Sequence, residues 1–199
     1  MSIENFLHQT NKRYSESKNI FGFWVYIMSD CVLFAILLAV YAVLHGHTFD
    51  GPTAKELFNN NLYFVLIETL LLLTSSFSYG LAMLSYKISK NKVIQWIMIT
   101  FIIGSCFITM EIYEFYSLYD KGHNWAVSAF LSSFFTLVGA HGLHVLIGLI
   151  WIAVMSCQVN KRGITPTTKK KLTYLGLFWH FLDIIWIFIF SIVYLMGSI

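Results

Sequence analysis

The chain is short of charge. Lys, Arg, Asp and Glu make up only 12% of its 199 residues, about half of what an ordinary soluble domain carries. No polar stretch is long enough to build a second, water-soluble domain. Proline is scarcer still, and both prolines, Pro52 and Pro166, fall between apolar runs. That counts against a transporter built on discontinuous helices. The three cysteines, Cys31, Cys106 and Cys157, lie inside apolar runs with neither disulfide nor zinc-ribbon spacing, so they read as small core residues. An apolar leader is lacking as well. Residues 1–19 are polar, so no cleavable signal is expected there and the segment reads as a mobile tail.

What is present is apolar residue in long runs. Hydrophobic residues are 57% of the chain, and five runs stand out, at 20–44, 62–86, 93–118, 126–157 and 172–197. Each is near or above the roughly 20 residues that cross a bilayer as a helix. The fold class that follows is all-α, a polytopic five-transmembrane-helix bundle over residues 20–199.

Orientation follows from the basic residues. Lys12, Arg13, Lys18, Lys87, Lys90, Lys92, Lys161, Arg162, Lys169, Lys170 and Lys171 fall on one side of a five-span topology, against Lys55 and Lys121 on the other. Basic loops stay inside, so the N-terminus is expected in the cytoplasm and the C-terminus outside. The net charge of +3 then points to anionic lipid headgroups, with no nucleic acid implied. In the outer loop, Thr53-Ala54-Lys55-Glu56 has capping-box spacing and predicts a short surface helix through Phe58. Trp24, Trp96, Trp125, Tyr41, Tyr63, Tyr119, Tyr174 and Tyr194 lie near span ends, where amphipathic rings favour the interface.

Eight ionisable residues sit inside the apolar runs: Asp30, Glu68, Glu111, Glu114, His141, His144, His180 and Asp183. Each costs about 3 kcal/mol at the bilayer centre by insertion scales, so each needs a partner. Counting about 1.5 Å per residue puts Asp30 and the histidines with Asp183 near the middle or inner half, and the three glutamates in the outer half. Two polar layers are implied, one of acids with imidazoles and one of acids alone. Ser128, Ser132, Thr136, Ala140, His144 and Gly148 recur every fourth residue, a stripe that lets helices approach closely and predicts His144 facing a neighbour. His141 shares much of that face. Gly176, His180 and Asp183 line one face of the last span, and Thr100, Gly104, Glu111 and Glu114 one face of the third.

These groups admit several chemistries. A haem pair needs axial histidines on facing helices, and three intramembrane histidines do not supply two bis-histidine haems. A di-iron bundle needs Glu-x-x-His pairs, whereas the pairs here are Glu111-x-x-Glu114, His141-x-x-His144 and His180-x-x-Asp183. A proton relay fits the composition without being demanded by it. Hydrogen bonding between helices fits at least as well, and the residues favour it over a metal site.

The segments "GFWVYIMSDCVLFAILLAVYAVL", "EIYEF", "GAHGLHVLIGLIW" and "FWHFLDIIWIFIFSIVYLMGS" together resemble subunit III of the haem-copper terminal oxidases, in order over residues 20–199. The resemblance places the family's intramembrane carboxyl at Asp30, its histidine motif at His141 and His144, and its last-helix motif at His180 and Asp183. Five spans instead of seven, Asp30 in place of the usual glutamate, and "GPTAKELF" in the outer loop look like the bo-type ubiquinol oxidase branch. A carbodiimide-type reactivity or proton role ascribed to that glutamate does not follow here. The resemblance implies a non-catalytic subunit of a proton-pumping oxidase, with no catalytic, cofactor or metal residues of its own. It implies haems and copper in the catalytic subunit I, further partners in subunit II and a small subunit IV, bound phospholipids, and a bacterial plasma membrane location. The alternatives are a small proton-coupled transporter using Asp30 and Asp183, or a stand-alone membrane haem or di-iron enzyme.

The basic asymmetry makes the first prediction. Cysteines introduced within 87–92 and 161–171 should react with impermeant reagents from the cytoplasmic side. Labelling of residues 50–56 from that side alone would overturn the topology.

Overall fold

A computed structural model describes residues 3–46, 62–87, 89–122 and 125–198. Helix α1 runs Ile3–Leu44, α2 Leu62–Leu84, α3 Lys90–Asp120, α4 Ala129–Arg162 and α5 Pro166–Ile189. A 3-10 turn, Ser85–Lys87, follows α2, and a π turn, Phe190–Leu195, extends α5. Among the described residues every regular element is helical. Five segments are long and apolar enough to cross a membrane, namely Ser17–Leu44, Leu62–Leu84, Lys90–Asp120, Ala129–Arg162 and Pro166–Leu195. The capping-box loop through Phe58 lies outside the described residues. The backbone of α1 is helical from Ile3, inside the segment expected as a tail.

Two units are distinguished, residues 1–35 and 36–199. The first is the greater part of α1. In the second, α2 packs on α3 and α5, and α4 packs on the same two, so α2–α5 close into a four-helix ring. Short links make the neighbours antiparallel. Between α4 and α5 the link is residues 163–165, and its chemistry fixes both ends. Gly163, at φ 71°, takes the left-handed conformation that stops α4. Thr165 then accepts from Thr168 N at 3.2 Å, with Pro166 in the first turn of α5. Ser128 caps α4 in the same way, accepting from Leu131 N at 3.2 Å.

The basic links meet at one end of the ring. Lys90 Nζ donates to the Asn160 carbonyl at 2.6 Å, and Lys169 lies 4.5 Å from the centre of the Tyr86 ring. The end carrying the α2–α3 and α4–α5 links is called the basic end below.

Two tryptophans of α5, seven residues apart, occupy the middle of the ring. Trp179 donates its indole N–H to Ser75 Oγ of α2 at 3.1 Å. Its ring lies where a methyl group on Gly104 of α3 or Gly148 of α4 would come within 3.1 or 3.0 Å. Trp186 donates to Thr69 Oγ1 of α2 at 3.1 Å and meets Phe107 of α3 edge-on at 4.8 Å and His141 of α4 at 5.1 Å with the rings tilted by 30°. Each indole therefore touches all three other helices. Buried aromatic area and a satisfied N–H act together there. The α2–α5 seam continues toward the basic end, where Tyr79 donates to the Leu172 carbonyl at 2.7 Å and lies over Gly176.

That last contact gives a prediction. A methyl group on Gly176 would lie 2.7 Å from Tyr79 Cε1, and the hydroxyl bond pins the ring, whereas nothing lies within 4 Å of one on Gly80. Both positions are helical, so the propensity gain of alanine is common to the two. Gly176→Ala should be about 1–3 kcal/mol less stable than Gly80→Ala in detergent unfolding. Equal stabilities would mean that the α2–α5 seam is looser than described.

Candidate functional site: two polar layers

The layer away from the basic end is built from four elements. Glu68 comes from α2, Glu111 and Glu114 from α3, His141 from α4 and Tyr194 from the π turn, and all five are buried. Tyr194 donates to Glu114 Oε2 at 2.9 Å. The Glu111 carboxyl lies over Gly142, where a methyl group would come within 2.6 Å of Oε2. That contact explains the second glycine of the "GAHGLH" motif. Glu68 lies within electrostatic range of both other acids, and neither of its oxygens has a hydrogen-bond partner among the described residues. The spans offer no Lys or Arg at this depth, so three full charges here would repel without compensation. Protons or hydrogen-bond donors must do what cations do elsewhere.

The sequence placed His141 lower, with acids alone in this layer. The reason for the difference is the extent of α4. It runs past the expected span to Arg162 at the basic end, which shifts its midpoint and leaves His141 in the half that holds the acids. His141 is wholly buried, its ring tilted by 30° against Trp186 and edge-on to Phe107 at 6.1 Å.

The face of α4 also differs from expectation. The predicted stripe is mostly turned away from the ring, with Ser132 and Thr136 exposed and Ala140 and His144 half-buried. The ring-facing side is Leu131, Phe134, Val138, His141, Val145 and Ile152. Bulky apolar residues set the contact face. The small polar residues turn outward at little cost because they bond within their own helix. Thr136 Oγ1 donates to Ser132 O at 2.8 Å, and His144 Nδ1 bonds Ala140 O at 2.7 Å. On α3 the expected face is the observed one, with Thr100, Gly104, Glu111 and Glu114 all buried.

The second layer lies at the middle of the α2–α5 seam. Ser76 Oγ of α2 is hydrogen-bonded to His180 Nδ1 of α5. Asp183 Oδ2 is 3.8 Å from the same nitrogen, in ion-pair range, and the carboxyl also lies beside Ser76. Gly176 and Asp183 are buried, as the shared face requires, but 47% of the His180 side chain is exposed. In the first unit, Asp30 is buried and joined through its side chain to Tyr26, one turn back on α1. Among the described residues, no three His, Cys, Asp or Glu side chains converge in a ligand-like group.

Tyr41 and Tyr194, expected at the interface, are both fully buried. Tyr194 is held by Glu114, and Tyr41 by the Val193 carbonyl at 3.5 Å. Each ring found an internal partner for its hydroxyl, which removes the reason to seek water. Tyr63, Tyr119, Trp24 and Trp125 do face outward. The tryptophan pair is what sequence reasoning missed, although its seven-residue spacing was there to be read.

Residues 3–198 match the family described as cytochrome c oxidase subunit III. The chain belongs to that family. It is 53% identical to cytochrome bo(3) ubiquinol oxidase subunit 3 of Pseudomonas aeruginosa, over 93% of this chain and 88% of the relative. It is 46% identical to quinol oxidase subunit 3 of Bacillus spizizenii, over 90% and 87%. A third relative, cytochrome c oxidase subunit 3 of Alkalihalophilus pseudofirmus, is 44% identical over 92% and 89%. As a subunit III chain, it has other oxidase subunits as partners and is a multi-pass membrane protein.

The Tyr194–Glu114 bond supplies a test of the first layer. A double-mutant cycle of Tyr194→Phe with Glu114→Met should give a coupling of about 0.5–2 kcal/mol in the stability of the assembled subunit. Strict additivity would show that the bond does not form in the membrane.

Proposed function

We propose that this chain is a non-catalytic accessory subunit of a proton-pumping cytochrome o-type ubiquinol oxidase, which oxidises ubiquinol and reduces oxygen to water. The observation that carries the reading is the 53% identity over 93% of the chain to a bo(3) ubiquinol oxidase subunit 3. The quinol branch is favoured over cytochrome c as donor because relatives named for quinol reach 53% and 52%, whereas two named for cytochrome c stand at 44%. The chain stabilises the catalytic subunit I, which carries the haems and copper, and it adjoins subunit II and a small subunit IV. It also seats phospholipids. It lies in a bacterial plasma membrane with its N-terminus in the cytoplasm, supported by the basic links that meet at one end of the ring. His141 and His144 act as packing and hydrogen-bonding groups, with the three glutamates, Asp30, His180 and Asp183 in structural or lipid-contacting roles.

A tagged chain purified in mild detergent should bring down a haem-bearing complex with ubiquinol oxidase activity. His141→Asn should lower the amount of complex recovered while leaving the haem spectrum of the surviving oxidase unchanged. A chain that purifies alone with stoichiometric haem or metal, lost in that variant, would replace this reading with a stand-alone enzyme.

A further inference from the structure

His180 is out of place for a lipid-facing residue. Its span runs Pro166–Leu195, which puts it at mid-span, about 20 Å from either end. Half of its side chain is nonetheless uncovered. It opens on a groove of about 500 Å³ along the α2–α5 seam, lined also by Leu73, Ser76, Phe77, Gly80 and Leu84. The apolar walls alone say nothing, since every lipid-facing helix has them. The imidazole says more.

Ser76 and Asp183 both lie on the Nδ1 side of the ring. With Nδ1 engaged by Ser76, Nε2 is the ring nitrogen left to the groove, a donor or an acceptor according to the tautomer. Hydrocarbon offers neither a donor nor an acceptor at this depth, and an unsatisfied polar group in lipid is costly. The occupant must therefore carry a hydrogen-bonding group to the middle of the bilayer, which phospholipid headgroups do not reach. A transmembrane helix does. Gly80 is one turn from Ser76, and a methyl group there would meet nothing within 4 Å, so Ser76-x-x-x-Gly80 leaves room for a second backbone to approach.

We propose that this groove is the seat of a transmembrane helix from a neighbouring oxidase subunit, with a hydroxyl or amide side chain, able to donate or accept, directed at His180 Nε2. The proposal rests on the accessory-subunit reading and specifies where on the chain the association is made. It separates the two layers by role, one turned inward to hold the ring and one turned outward to hold a partner.

The test uses the assembled oxidase in native membranes. A photoreactive phenylalanine analogue placed at Phe77 should cross-link to a different polypeptide of the complex. Gly80→Trp should abolish that product and lower the fraction of chain co-purifying with the oxidase about tenfold, while Gly80→Ala should not. A methyl group on Gly80 meets nothing within 4 Å, and detergent unfolding of the tryptophan variant should match wild type, so that the effect reports on the partner. His180→Leu, which also removes the bond to Ser76, should lower co-purification at least as far as Gly80→Trp, and His180→Gln, which keeps both a donor and an acceptor, should stay within about twofold of wild type. Photoproducts confined to lipid, or joining two copies of this chain, would overturn the proposal, as would an intact Gly80→Trp complex. In those outcomes wild type still co-purifies with the oxidase, and the accessory reading stands. If wild type does not co-purify, both fall together.

Discussion

Inside a bilayer the indole N–H has no water to turn to, and the structure of this ring depends on how two of them are satisfied. Trp179 and Trp186 donate to Ser75 and Thr69 of α2, a pairing that runs antiparallel along one seam. Tyr79 with Leu172 and Ser76 with His180 extend the same ladder. Shifting α5 by one residue against α2 would take both indoles away from their hydroxyl partners. Association between helices in lipid has little hydrophobic drive to set register, so the hydrogen bonds set it instead. The other two helices adapt to the rings. Gly104 and Gly148 leave room for Trp179, while Phe107 and His141 close on Trp186.

That arrangement explains why His141 is buried while His144 is not. A residue on α4 faces the ring if it can pack against Trp186, and the imidazole of His141, its centre 5.1 Å from that ring, does so. Three residues on, His144 has turned part-way out and bonds its own helix. The HxxH spacing therefore does not aim both imidazoles at one point, as a shared metal would require. The π turn works in the same direction. It adds a residue to the turn after Ile189, so that the chain presents Val193 and Tyr194 together to the interior. Tyr194 can then reach Glu114 from about two helix turns beyond the second tryptophan.

The parts of this fold legible in the sequence are those fixed by composition. Five apolar runs and the placement of Lys and Arg suffice for span number and for which links share an end, because the cost of burying charge in lipid overrides local detail. The carboxyl face of α3 was legible for the same reason, since an acid must turn inward. Where the sequence misled, the criterion was weaker. The small-residue stripe on α4 assumed that Ser and Thr must find partners on other helices. Ser132 and Thr136 are exposed, and Thr136 is satisfied by the carbonyl four residues back. Tyr41 and Tyr194 were placed by their distance from a span end, a rule that ignores whether a buried acceptor is nearer than the interface. No periodicity in one helix reveals a partner on another.

The pattern of polar groups also bears on what such a subunit is for. Burying acids and imidazoles gives no stability that apolar residues of the same size would not give, and it often gives less. What it gives is uniqueness, since each group tolerates only one neighbour. An accessory subunit must present the same surface each time its partner arrives. The inner donors hold four helices in a single register, and that register determines where His180 emerges on the outside of the seam. Were α5 free to slide by a residue, the imidazole would rotate by about 100° around its helix and the outward polar group would be lost. The inward-facing tryptophans are in this sense the condition for an outward-facing histidine.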